Sequence, residues 1–178
     1  GGFGEIVHLN SKWVVKLPDG LSPNEAMNIG TAGITAAASV KKIIDSGISK
    51  ELPILVTGAT GGVGSVAVNL LSNLGYEVHA ITGKPEQNEV LKEMGASQII
   101  DRNEFMADPV KALDKGVYGG GVDTVGGEIL SKMLSMISNE GAVSCCGNVA
   151  GMKFTSSVFP FILRLSLIHI SEPTRHRS

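Results

Sequence analysis

Thr57-Gly58-Ala59-Thr60-Gly61-Gly62-Val63-Gly64 is the stretch of this sequence best able to do chemistry. It follows the apolar run Ile54-Leu55-Val56 and leads into an apolar segment from Gly62 to Leu74, so it is placed as a turn between a strand and a helix. Such a turn can bind the pyrophosphate of a dinucleotide. Small residues let backbone N–H groups come close, and the positive end of the helix attracts the anion. The strict G-x-G-x-x-G spacing would need glycine at 59; here it reads Ala59-x-Gly61-x-x-Gly64. On this reading a small residue at 59 makes the turn, Gly61 admits the pyrophosphate and Gly64 permits close helix–strand packing. The plainer alternative is that the glycines serve tight packing only.

The end of the second strand selects the dinucleotide. An NAD site would place Asp or Glu about twenty residues beyond the glycines, against the ribose 2′-hydroxyl. This sequence has Thr82-Gly83-Lys84 there. A hydroxyl, a glycine N–H and an ammonium can all bind a 2′-phosphate, and no carboxylate stands among them to repel it. NADP(H) is therefore favoured, against the alternative of a solvated Lys84 in a loop. An S-adenosylmethionine methyltransferase also uses a glycine turn, but more often carries an acidic residue at this place.

Other candidates have bland explanations. His8, His79, His169 and His176 do not pair with cysteines at zinc-ligand spacing, so no metal site is expected. Cys145 and Cys146 read as core or cofactor-lining residues and Trp13 as core. Asp123 could donate a proton, but an Asp in a strand-to-loop motif more often hydrogen-bonds the backbone.

The elements that must position these residues alternate regularly. Trp13 to Leu17 reads as a short strand closed by Pro18, and Ser22-Pro23 as a helix start, with the helix running to Asp45. Gly33, Ala36, Ala37 and Ala38 make a thin face on it. Strands then follow at 54–56, 77–81, 98–100, 122–125 and 142–146, with helices at 62–74, 86–94, 105–114 and 128–137. Alternation of this kind predicts right-handed crossovers and a doubly wound, parallel α/β sheet of the Rossmann type; a complete one has six strands in the order 3-2-1-4-5-6, and five are counted before Arg164.

Composition limits the classes further. The 178 residues fit one domain; 43% hydrophobic content with a net charge of −2 excludes disorder, and 23 glycines without a three-residue period exclude collagen. A pI near 6.1 leaves no electrostatic footprint for nucleic acid. Adjacent cysteines cannot build a disulfide framework, and no apolar run reaches about 18 residues, so a cytoplasmic protein without membrane contact is expected. Gly1-Gly2-Phe3-Gly4 reads as the interior of a longer protein.

Taken in order, Gly30-Thr31-Ala32-Gly33-x-Thr35-Ala36, the glycine turn at 57–64, Thr82-Gly83-Lys84, Asp123-Thr124-Val125-Gly126 and Phe159-Pro160-Phe161-Ile162-Leu163-Arg164 form a set. The set resembles the acryloyl-CoA reductase (YhdH/YhfP-type quinone oxidoreductase) branch of the medium-chain dehydrogenase/reductase superfamily. The resemblance runs from Gly1 to Arg164. It implies a zinc-independent, NADPH-dependent reductase of activated carbon–carbon double bonds in an enoyl thioester, enone or quinone, a homodimer when full length. A cofactor-binding module without turnover is the alternative function.

Carried over by position, Thr60, Gly61, Gly62 and Val63 would hold the pyrophosphate, and Thr82, Gly83 and Lys84 the 2′-phosphate. Asn148 and Ile162 would lie along the nicotinamide. Gln98 stands where relatives can carry a further arginine for the phosphate, and Lys84 replaces an arginine, keeping the charge but losing the fork. No catalytic residue is assigned. The resemblance divides the chain into a remnant of an N-terminal GroES-like, β-rich substrate domain at 1–25 and an incomplete Rossmann domain at 26–164. Residues 165–178 are set apart as a non-native tail, because Leu165 to Arg175 resembles an in-frame translation of a transposase sequencing adapter. Its alternating pattern could still be laid at the sheet edge as a surrogate strand, with 171–178 disordered.

Overall fold

The structure is a computed structural model that describes residues 4–170. The chain forms two compact units, Gly1–Gly30 and Thr31–Ser178. In the first, a 3-10 turn at Ser11–Trp13 is capped by the Asn10 side chain, which accepts from the Lys12 N–H at 3.0 Å. The strand expected at Trp13 to Leu17 does not form. No strand is present among the described residues of this unit to pair with it, and Pro18 removes a donor where pairing would continue. Trp13 is accordingly 77% exposed, where a core position was expected.

Helix α1 spans Pro23–Asp45 and starts as the sequence suggests. Glu25 Oε2 accepts from the Ser22 N–H at 2.8 Å while the Glu25 N–H donates to Ser22 Oγ at 3.3 Å, a reciprocal capping box with Pro23 in the first turn. The helix is broken at Gly30 (φ 35°, ψ −143°), which is also where the two units divide. Beyond the break Gly33, Ala36, Val40 and Ile43 are buried, whereas Ala37 and Ala38 face outward.

The second unit is built on six strands: β1 (Ile54–Val56), β2 (Val78–Thr82), β3 (Gln98–Asp101), β4 (Tyr118–Asp123), β5 (Ile137–Cys145) and β6 (Leu167–Ile170). They lie in the order β3-β2-β1-β4-β5-β6, every neighbouring pair parallel. Between them run α2 (Gly62–Asn73), α3 (Asn88–Glu93), α4 (Arg102–Phe105), α5 (Gly127–Ser135) and α6 (Phe159–Arg164). This is the predicted doubly wound sheet. Ile54, Leu55 and Val56 are all fully buried. Ile54 and Val56 pack with Ala36, Val40 and Ile43 of α1 and Ala67, Val68 and Leu71 of α2. Leu55 turns the other way, toward Leu130, Met133 and Leu134 of α5. A strand covered on both faces needs a continuous apolar run, which explains its sequence.

Three boundaries differ from expectation by three residues or more. β4 starts at Tyr118, not Val122: Gly119, Gly120 and Gly121 carry no strand propensity, yet Gly120 and Gly121 pair with Ile54 and Leu55 of β1 and with Ala142 and Val143 of β5. A Cβ on Gly121 would lie 2.6 Å from Met133 Sδ, and one on Gly120 would lie 2.9 Å from the Ala142 carbonyl. The helix expected at Phe105 to Asp114 sits earlier, at α4, where Asp101 Oδ1 accepts from the Asn103 and Glu104 N–H groups at 2.7 and 3.2 Å. β5 begins five residues before Ala142, at Ile137.

Arg164 ties α6 to the far side of α5. Its guanidinium donates to the carbonyls of Ser135 at 3.0 Å, Ile137 at 2.7 Å and Asp114. The strand β6 then pairs Leu167 with Ala142 and Ile170 with Cys145 along the sheet edge. The expectation for 171–178 lies outside the described residues.

Candidate functional site

β1 lies between β2 and β4, so the chain winds away from it in both directions and leaves a crevice beyond the strands' C-terminal ends. A cleft of about 450 Å³ opens there. Thr60, Gly61, Gly62 and Val63 line one part of it, and Thr82, Gly83 and Lys84 another. The structure therefore brings together these seven of the residues read from the sequence.

Each glycine in the turn has a distinct task. Gly58 makes the turn, at φ 58°, and a Cβ on it would collide with Thr124 Oγ1 and lie 2.9 Å from Val125 Cγ2. Ala59 lies within the turn as expected; it is fully buried, and its N–H donates to the Ile81 carbonyl at 3.1 Å. At Gly64 a Cβ would strike the Gly58 carbonyl and stand 2.8 Å from Ala59 Cα, so α2 can sit this close only without a side chain there. Gly61 differs: a Cβ would meet just the Gly58 carbonyl, at 3.2 Å, and the residue is exposed. The space above it belongs to the cleft.

At the end of β2, Thr82 is only 4% exposed. Its Oγ1 accepts from the Lys84 N–H at 3.0 Å and lies 3.4 Å from Thr60 Oγ1. Over the neighbouring Gly83 lies the Arg102 guanidinium: a Cβ there would be 3.0 Å from Arg102 Cζ. Arg102 lines the cleft with Lys84, a second cation that the sequence reading missed. The signal was available, since the residue after β3 must lie at the same sheet edge as Thr82, which pairs with Asp101.

The structure does not bring the other three residues to the cleft lining. Gln98 opens β3 and pairs with His79, so it stands at the opposite edge of the sheet, roughly 10 Å from the end where Arg102 emerges. A strand has two ends, and Gln98 is at the wrong one for a phosphate contact. Asn148 is exposed in the loop after β5, where its neighbour Val149 reaches the cleft instead. Ile162 is exposed on α6.

Beneath the cleft, Asp123 is fully buried and its carboxylate is committed. It accepts from Thr57 Oγ1 at 2.6 Å, the Gly126 N–H at 2.8 Å and Cys145 Sγ at 3.4 Å. Thr57 Oγ1 in turn accepts from the Thr124 N–H at 3.1 Å, and Thr124 Oγ1 donates to the Thr57 carbonyl at 2.8 Å. Asp123 thus holds the turn that supplies Thr124 and Val125 to the cleft wall. Burial first, and then the Asp123 charge, pushes the Cys145 thiol up to about 12; burial also raises Cys146. Both cysteines are free.

The described residues offer zinc no ligand set. His79 Nε2 lies 3.1 Å from Glu77 Oε1 with its ring edge-on to Tyr118, and His169 Nε2 lies 3.1 Å from Ser46 Oγ. Among the described residues no group of three or more His, Cys, Asp or Glu could hold a metal ion, and no helix is long and apolar enough to cross a membrane. His176 lies outside the described residues.

Comparison with known proteins agrees with this geometry. The chain is 38% identical over 182 residues to the acrylyl-CoA reductase AcuI of Ruegeria pomeroyi, covering 99% of this chain and 55% of that protein. The crystal structure of the yhdH oxidoreductase from Salmonella enterica in complex with NADP superposes with a TM-score of 0.90 at 41% identity, over 97% of this chain and 53% of that one. The Bacillus subtilis yhfP protein with NAD bound gives 0.86 at 44% identity, over 91% and 50%. The chain spans about half the length of these relatives. A profile described as "Zinc-binding dehydrogenase" matches residues 62–174, from the first turn of α2 to beyond β6. With its six-stranded sheet and cleft at the switch point, the chain belongs to the zinc-binding dehydrogenase family of the medium-chain dehydrogenase/reductase superfamily.

Proposed function

We propose that the cleft takes NADPH, and that the full protein reduces an activated carbon–carbon double bond in an enoyl thioester, enone or quinone. The observation that carries this reading is the pair of cations, Lys84 and Arg102, flanking Gly83 at the end of β2. Two positive charges and a glycine N–H suit a dianionic 2′-phosphate. Asp101, at the same sheet edge, spends its carboxylate on the first N–H groups of α4 and so does not take the place of a ribose-reading acid. Arg102 also supplies the planar fork that Lys84 lacks.

The rest of the cleft suits the other parts of the cofactor. The first N–H groups of α2, from Gly62 onward, have no intrahelical partner and face an open space at Gly61 that accommodates a pyrophosphate. Thr124 and Val125, held by Asp123, form the wall beyond it. NADPH, when bound, supplies the hydride, while the protein supplies position and electrostatics. The named relatives, an acrylyl-CoA reductase and an oxidoreductase holding NADP, support the substrate class and the cofactor. A homodimeric full-length enzyme in the cytoplasm remains part of the same reading.

The test is a titration of the chain with NADPH and NADH. At least tenfold tighter binding of NADPH is expected, about 1.4 kcal/mol, and Lys84→Glu should erase the difference by setting a negative charge against the phosphate. Equal affinities in the unsubstituted chain would overturn the reading.

A further inference from the structure

We propose that Lys132 is a positioning residue for the cleft: it pins the C-terminal end of α4 and so fixes the Arg102 guanidinium beside Gly83, without itself meeting the cofactor. The proposal rests on the reading that the cleft takes NADPH. Among the described residues Lys132 is the one buried lysine or arginine, 7% exposed on α5. Ile129, one turn earlier, lines the cleft, and Lys132 does not. Among the described residues no carboxylate lies within ion-pair distance of it. A buried ammonium without an ion pair is costly, so what it does touch matters.

Its contacts converge on α4. The ammonium donates to the Asp108 carbonyl at 3.0 Å and lies 5.4 Å from the centroid of the Phe105 ring, within cation–π range. Phe105 is the last residue of α4, and Arg102 is the first. One helical turn does not hold itself, because it fixes several residues for few hydrogen bonds. Helix α4 is therefore held from both ends. Asp101 Oδ1 caps its first N–H groups. At the other end Phe105, 7% exposed, packs in the cluster of Leu55, Leu130 and Met133, and Lys132 grips both the ring and the carbonyl three residues on. Beyond Asp108 no helix or strand follows until Tyr118. The Arg102 side chain itself stands exposed in the cleft. Its planar fork suits a phosphate in a set orientation, which requires the backbone that carries it to be fixed. The Lys132 ammonium thus acts on the guanidinium through a single helical turn.

Such a residue should matter to NADPH and not to NADH, because only NADPH carries the 2′-phosphate that Arg102 meets on this reading. The experiment is fluorescence titration of the full 178-residue chain with each dinucleotide, for Lys132→Met, Arg102→Gln and the double variant. Amide hydrogen exchange over residues 102–108 accompanies it. Methionine keeps the length of the side chain and removes the charge, a change that buried charged sites often tolerate without loss of stability. Lys132→Met should weaken NADPH by about threefold to tenfold, a fraction of one charge-assisted hydrogen bond, and leave NADH unchanged. The Met106 and Ala107 amides, which donate to the Arg102 and Glu104 carbonyls at 3.1 Å, should exchange faster. The double variant should be no weaker than Arg102→Gln, since Lys132 acts through that residue. Equal weakening of both dinucleotides, unchanged exchange over α4, or multiplied losses in the double variant would overturn the proposal. Should Lys132→Met not fold, Phe105→Leu decides: a full preference for NADPH there would end it. A preference lost in Arg102→Gln but kept in Lys132→Met ends the proposal and leaves the reading of the cleft standing. An unsubstituted chain that binds both dinucleotides equally removes that reading and the proposal with it.

Discussion

Cys145 and Asp123 show how a reactive residue type is made inert. The thiol donates to Asp123 Oδ2 at 3.4 Å, and ionising it would place a second negative charge beside a buried carboxylate. Burial and that charge hold its pKa at about 12 against an ordinary 9.0. At pH 8 the thiolate fraction falls by about a thousandfold relative to an ordinary cysteine, and alkylation follows the thiolate. Iodoacetamide labelling followed by mass spectrometry should therefore leave Cys145 unmodified in the folded chain long after free cysteine has reacted. Labelling at the rate of free cysteine would contradict the geometry. The sign of the stability effect follows. With the folded pKa raised, the folded state keeps its proton where the unfolded chain loses it. The contribution is intact below about pH 9 and is lost as the pH rises toward 12.

At the scale of the element, the turn between β1 and α2 separates glycines that packing requires from a glycine that opens onto the cleft. Gly64→Ala should lower stability by about 1–3 kcal/mol, because the new methyl meets backbone on two sides and neither Gly58 nor Ala59 can yield without shifting β1. Gly61→Ala should leave the urea midpoint nearly unchanged, since just one contact at 3.2 Å has to give. It should still weaken dinucleotide binding, because its methyl projects where the pyrophosphate is placed. Chemical denaturation and titration of the two variants side by side read both effects. A Gly64→Ala protein as stable as the parent would refute the packing account.

For the molecule as a whole, β6 is the element that the cleft does not need. Every residue lining the cleft precedes Ala150, while β6 pairs with β5 from Ala142 to Cys145 and brings Ile168 against the α5 side of the core. Truncation after Arg164 should leave dinucleotide affinity unchanged and cost about 1–3 kcal/mol of stability, the order expected for one short edge strand and one half-buried aliphatic side chain. Calorimetric Tm and a binding titration check the two parts. A clear loss of affinity would show that the edge strand supports the site. The exposed Val158, Ile162, Leu163, Leu165 and Ile170 around it leave this edge rich in apolar surface.

The sequence by itself determined the alternation of elements, the parallel sheet and the location of the cleft. Those features follow from local signals: a doubly buried strand such as Ile54-Leu55-Val56 must be apolar throughout, and a turn like 57–64 must be small. Seven of the ten candidate residues line the cleft, and all seven lie in two such local motifs. The tertiary structure decided the rest. β4 runs through Gly120 and Gly121 because they pair with β1 on one side and β5 on the other, where Met133 and the Ala142 carbonyl leave no room for a Cβ; no propensity announces a glycine strand. Arg102 and not Gln98 lines the cleft because β3 opens at Gln98 and presents its C-terminal end there, a fact of direction and register. Trp13 stays exposed because burial requires a partner surface, and residue type does not supply one. Neighbours in sequence settle what an element is; neighbours in space settle which of its residues meet the ligand.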